Sequence, residues 1–290
     1  MAFNRVLQAG NMITNPQMKM SWVSLTTKLA TRLAQHQPVE WDSFEEEAST
    51  KIVTFVLEDP RTRLEFGLRW FHELYFSDST LPENAQRYEH NLLLLLNKLK
   101  VKDDSFDKVI GRLLMDAPAL TPGVFEFIMN SATVAEGRPQ LGFALLKDLI
   151  LQRPPYRKEC LDILFAAAIH ETKGIRALGV GLCVLLHQEP DVADSIENHS
   201  LELLSKLEQS SPLGDNSEMA ETDAAKDTPA EKLLPENSGL MDIEAPGEKE
   251  APEAQESDPA SQSKWTEVTV TRYTDLYFAL CKGKPEMLNE

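Results

Sequence analysis

Few side chains in this sequence could take part in catalysis, and none stands in a pattern that a reaction needs. His170-Glu171 comes nearest to an acid–base pair. A zinc-binding His-Glu-x-x-His helix would need a second histidine at position 174, where the chain has Gly174. The pair therefore reads as a helix end. Gly179-Val180-Gly181 lacks the third glycine of a phosphate-cradling turn and lies inside a helical pattern, which points to close helix packing. No Gly-x-Ser-x-Gly elbow occurs. His72, His90, His187 and His199 fall on different helical stretches, so surface or packing roles are expected for them. Cys160, Cys183 and Cys281 are too scattered for a disulfide framework and form no Cys-x-x-Cys pair, which fits a reducing compartment. The expectation is no catalytic residue, no cofactor and no metal site.

Other side chains are candidates for contact with a partner. Trp70, Phe71 and Tyr75 could line a groove, although aromatics at helical spacing are expected in the core. Asp148 with Arg153 or Arg157 is expected to form a local helix-end ion pair. Leu240-Met241-Asp242-Ile243-Glu244 is apolar enough to serve as a short docking motif.

The elements that must carry these residues are helices. From about residue 18 to 207, apolar side chains recur at intervals of three and four, which places them on one helical face. Leu64, Leu68, Phe71 and Tyr75 form one stripe; Tyr88, Leu92, Leu95 and Leu99 a second; Ile175, Leu178, Leu182 and Leu185 a third. No sustained alternation marks a strand. Asp59-Pro60, Thr121-Pro122 and Glu189-Pro190 read as helix starts, because proline lacks only the N–H that a first turn leaves unpaired. Asp59 and Thr121 are also expected to cap those starts through a side-chain oxygen. Arg153-Pro154-Pro155 is a harder stop, since the second proline disfavours helical geometry at the first. Roughly ten helices on short connections predict an all-α, HEAT-like antiparallel helical-repeat solenoid, with a globular bundle as the structural alternative.

Charge divides the chain. Its net charge is −17 over 290 residues, and residues 209–264 hold 14 Asp or Glu against 4 Lys, with six prolines and no aromatic. That composition predicts a disordered acidic insertion. The expected organisation is a poorly ordered N-terminus at 1–17, a helical-repeat domain at 18–208, the acidic linker at 209–264, and a continuation of the helical array at 265–290, where Val268, Tyr273, Leu276 and Leu280 restore the helical period. No basic stripe suited to phosphates appears, so no direct nucleic-acid binding is expected. No apolar run approaches the roughly 20 residues of a membrane span. Residues 1–39 carry Arg5, Lys19, Lys28 and Arg32 without an acid before Glu40, which imitates a mitochondrial presequence and keeps an organellar or cytosolic helical-repeat adaptor as the alternative reading.

Several blocks resemble the central region of the symplekin family. They are residues 52–75, IVTFVLEDPRTRLEFGLRWFHELY, and residues 106–128, FDKVIGRLLMDAPALTPGVFEFI, with its turn at Asp116, Ala117, Pro118, Leu120 and Thr121. Leu141-Gly142 through Leu149-Ile150 and Arg153-Pro154 follow, then Ile169-His170-Glu171. After the acidic segment come Trp265-Thr266-Glu267 and Leu276-Tyr277-Phe278-Ala279-Leu280. Order and spacing agree over most of residues 48–290. The family chains are longer, with amino- and carboxy-terminal domains that have no counterpart here, so the sequence is expected to be a segment. The resemblance implies a nuclear, non-catalytic scaffold of poly(A) and histone pre-mRNA processing. Its implied partners are protein subunits of the cleavage and polyadenylation complexes.

Overall fold

Prolines set where many of the helices begin. Pro16, Pro60, Pro122, Pro139 and Pro190 each open a helix, at the position where a missing N–H costs nothing. Asn15 and Asp59 support two of these starts by accepting the backbone N–H of Met18 (3.2 Å) and Thr62 (3.3 Å). The computed structural model describes residues 2–32, 42–80, 86–102, 104–134, 137–208 and 265–286. In chain order the helices are α1 (Ala2–Ala9), α2 (Pro16–Arg32), α3 (Asp42–Glu58), α4 (Pro60–Thr80), α5 (Arg87–Lys102) and α6 (Asp107–Asp116). There follow α7 (Pro122–Thr133), α8 (Pro139–Gln152), α9 (Arg157–Ala168), α10 (Lys173–Leu186), α11 (Pro190–Glu208) and α12 (Glu267–Gly283). The protein is all-α: the described residues contain no strand.

Every extensive contact joins a helix to the next one or the next but one in the chain. The even-numbered helices α2 to α12 pack successively in one row, and α1, α3, α5, α7 and α9 do the same in another. Apolar stripes are buried where the rows meet. On α5, Tyr88, Leu92, Leu95 and Leu99 all point inward, as their spacing predicts. Two glycines let the backbones of neighbouring helices come close: a Cβ on Gly142 would lie 2.5 Å from the Ala132 nitrogen of α7, and one on Gly179 would lie 2.8 Å from the Ala168 nitrogen of α9.

Several expectations need correction. Residues 2–12, expected to be poorly ordered, form α1 and a 3-10 turn, because Phe3 and Leu7 bury themselves one turn apart beside α3. The third stripe is turned about the helix: Leu178 and Leu185 are exposed, whereas Gly179, Cys183 and Leu186 join Ile175 and Leu182 inside. Small residues on the true inner face admit the backbone of α9, so the largest apolar residues mark the wrong side. Tyr75 also faces outward from α4, in edge contact with Tyr88 (5.4 Å between ring centres). Val268 is exposed as well, while Leu276 and Leu280 anchor α12 against α10 and α11. The acidic segment 209–264, with Leu240-Met241-Asp242-Ile243-Glu244, lies outside the described residues.

Thr121 does not cap α7. Its hydroxyl is buried without a partner, and Glu89 of α5 accepts the Gly123 N–H (2.9 Å) instead. A carboxylate at a helix N-terminus also meets the positive end of the macrodipole, an advantage a hydroxyl lacks. Replacing Glu89 with alanine should therefore cost about 0.5–2 kcal/mol, the usual worth of a cap. Thr121→Val, which deletes only an unpaired hydroxyl, should be neutral or stabilising in the same urea titration. The reverse ranking would return the cap to Thr121.

Candidate functional site

The sequence-predicted residues do not assemble into a reaction centre. His170 and Glu171 occupy the connection between α9 and α10, where the His170 Nδ1 accepts the Thr172 N–H (3.0 Å) and the Glu171 carboxylate faces solvent 3.5 Å from Arg272. Gly179 packs against α9, and a Cβ on Gly181 would meet nothing. Cys160, Cys183 and Cys281 are buried free thiols, and burial pushes Cys160 and Cys183 up to about 12, far from the reactive thiolate range. Among the described residues, no group of three or more His, Cys, Asp or Glu side chains could hold a metal ion. No described helix is long and apolar enough to cross a membrane.

Arg153 and Arg157 have a role that the sequence did not reveal. Neither pairs with Asp148 as expected. Arg153 donates to the carbonyls of Leu114 (2.8 Å) and Ala117 (3.0 Å) and lies over the ring of Tyr156. Arg157 donates to the Ile150 carbonyl (3.0 Å) and lies 3.3 Å from Asp191. Arg63, Arg138 and Arg176 likewise donate to the carbonyls of Phe55, Lys100 and His170. The last carbonyls of a helix have no acceptor role within it and carry the negative end of the dipole, so a guanidinium is a fitting partner.

The turn between α6 and α7 shows this tying most densely. Besides Arg153, Tyr88 donates its hydroxyl to the Ala119 carbonyl, the Leu120 N–H donates to the Tyr156 hydroxyl (3.2 Å), and His72 Nε2 contacts the Asp116 carbonyl (3.3 Å). Side chains from α4, α5 and the segment between α8 and α9 thus meet on residues 116–120. This is the turn carried by the Asp116-to-Thr121 motif. Packing accounts for these ties, since each holds one helix pair to another.

His199 on α11 stacks on Phe165 of α9, with ring centres 4.0 Å apart and planes 6° from parallel. Its Nε2 is buried without a partner, and burial holds the imidazole below its ordinary pKa, with Lys206 adding to the effect and Glu202 and Asp162 opposing it. A histidine whose pKa falls on folding binds its proton more tightly in the unfolded chain. Stability is therefore full above the ordinary histidine range, near pH 6.5, and declines as pH falls through it. The Tm of the parent should drop between pH 7.5 and 5.5 by more than that of His199→Phe, which keeps the stack and loses the titration. Equal drops in the two proteins would remove His199 as the cause.

Two surface concavities lie among the described residues near the amino-terminal helices. A cleft of about 910 Å³ lies between α2 and α4. Its apolar wall is an aromatic cluster in which Trp22 and Phe66 lie 5.1 Å apart and Phe55 and Phe66 lie 5.5 Å apart. Arg63 caps this cluster, 4.0 Å from the centre of the Phe55 ring, while Lys19, Asp59, Glu65 and Arg69 give the rim both signs of charge. A shallower apolar groove of about 590 Å³ runs along α2 on the side of α1, lined by Val6, Ile13, Met18, Leu25 and Leu29. The first cleft is also lined by Ser21, Thr62 and His72, whose polar atoms bond elsewhere: Ser21 donates to the Gln17 carbonyl (3.1 Å), Thr62 to Asp59, and His72 Nε2 contacts the Asp116 carbonyl. Trp70 and Phe71, weighed as groove residues, are core residues. No protein-family model matches the chain, and no solved structure matches it.

Proposed function

We propose that this chain is a non-catalytic scaffold of the nuclear machinery that cleaves and polyadenylates pre-mRNA, corresponding to a central segment of symplekin. The observation that carries the reading is the ordered series of resembling blocks at residues 52–75, 106–128, 141–154 and 265–280. The packing supports it. A HEAT-like solenoid is the architecture in which each helix pair buries its apolar face only against adjacent pairs, and the extensive contacts here reach no further than two helices along. Protein contacts spread over such a surface are individually modest and gain from acting together.

Tagged chain should recover cleavage and polyadenylation subunits from nuclear extract, and nuclease treatment should leave them bound. Purified chain should show only weak, strongly salt-sensitive RNA binding, since without a basic stripe few counterions are released. Recovery abolished by nuclease, or micromolar RNA affinity at physiological salt, would replace this reading with direct RNA binding. Accumulation of the tagged chain outside the nucleus would favour an adaptor of another compartment.

A further inference from the structure

We infer that the outward face of α10 is a self-complementary seam through which two copies of this chain associate, antiparallel and about a two-fold axis, a property independent of the processing reading. Gly174, Leu178, Gly181 and Leu185 follow one another at intervals of four, three and four, the spacing of a coiled-coil seam. Leu178 and Leu185 are 41% and 46% exposed, and Ala177 beside them is exposed too. The stripe is not left bare by an end of the row, because α8 packs on one side of α10 and α12 on the other. From Ala177 to Leu186 the helix has no charged residue, whereas the exposed positions of α4, α6 and α8 include Arg69, Arg112 and Lys147. Gly142 and Gly179 are accounted for by backbones that a Cβ would strike, but one added at Gly174 or Gly181 would meet no atom within 4 Å. A glycine in the middle of a helix weakens it relative to alanine, and no contact among the described residues accounts for that loss at Gly181.

The order of large and small residues selects a second copy as the occupant. When two α10 helices lie antiparallel about an axis between residues 179 and 180, Leu178 falls opposite Gly181 of the other copy and Leu185 opposite Gly174. One register thus sets a leucine against a glycine in every layer, a knob against an empty hole. A parallel pair would set leucine against leucine and glycine against glycine, leaving an unfilled gap at each glycine. The flanking positions Ala177 and Val184 are also uncharged, so the two copies meet along the seam without like-charge repulsion. A nucleic acid or an acidic segment would find no cation on the stripe between Ala177 and Leu186 to pair with. One helix of 14 residues offers less than the roughly 800 Å² per partner of a stable complex, so the dimer is weak, with a Kd on the order of 100 µM.

Sedimentation of the full chain from about 5 to 500 µM should show a reversible monomer–dimer equilibrium. Leu185→Lys should raise the dissociation constant about tenfold or more, since it puts two like charges on the seam. Gly181→Lys separates the seam from the fold. Its Tm at low concentration should rise, because lysine is the better helix former and its side chain meets nothing in the monomer, while the dimer weakens about tenfold or more as the hole for Leu178 is filled. Register is read by cross-linking. Leu178→Cys and Gly181→Cys, made in separate chains, should form an inter-chain disulfide when mixed and oxidised, in preference to either chain with itself, because position 178 faces 181. The native cysteines are buried and do not compete. A monomer at every concentration, a dimer indifferent to Gly181→Lys and Leu185→Lys, or preferential cross-linking of either chain with itself would overturn the proposal. Dimerisation and the recovery of processing subunits are separate measurements, so either can fail without the other.

Discussion

Leu92→Asp should unfold the helix pair that contains it, at a cost of about 5 kcal/mol or more. Leu92 is fully inaccessible, midway along α5, a helix packed against α3, α4, α6 and α7. Removing the leucine forfeits about 1.5–3 kcal/mol of apolar burial. The aspartate adds the cost of placing a carboxyl where no polar partner waits, paid either as a buried charge or as protonation at neutral pH. Leu92→Met, which conserves volume and polarity, should cost less than about 1.5 kcal/mol. Val101→Asp near the end of the same helix should be nearly silent, since Val101 is exposed. Thermal melts followed by circular dichroism compare the three; an unchanged Tm in Leu92→Asp would show that the inner face of α5 is misassigned.

Asp78→Ala should be the most damaging loss of a polar side chain, at about 3–5 kcal/mol. Asp78 is buried near the end of α4 and accepts two bonds, from Arg87 Nε (2.9 Å) and from the backbone N–H of Tyr88 (2.8 Å). One carboxylate thus closes an ion pair and caps the first turn of α5. Charge-assisted hydrogen bonds are worth about 1.5–3 kcal/mol each, and breaking a buried pair from one side falls in the same total range. Asp78→Asn keeps an acceptor but loses the charge, so its cost should be intermediate. The double variant Asp78→Ala, Arg87→Leu should recover part of the loss, because the half-buried guanidinium that loses its carboxylate is removed as well. Urea titrations order these proteins, and Asp78→Ala within about 0.5 kcal/mol of the parent would show that the pair contributes nothing.

The amino-acid sequence by itself determined that the protein is helical, where many of its helices begin, and which face of α5 is internal. Those features are local: apolar spacing selects the helix, and proline or a capping oxygen acts within one turn. The same locality makes the lack of a zincin, hydrolase or phosphate-loop motif readable from the sequence. What only the tertiary structure decided are contacts made across the chain. The buried face of α10 is set by how near α9 comes, so Gly179 and Cys183 lie inside and Leu178 and Leu185 outside. The cap of α7 comes from Glu89 on another helix, and the partners of Arg153 are carbonyls more than thirty positions away. The groove on α2 is of this kind too. Its residues are ordinary helix formers, and their exposure follows from which neighbours cover α2, a matter of packing that no short stretch of sequence encodes.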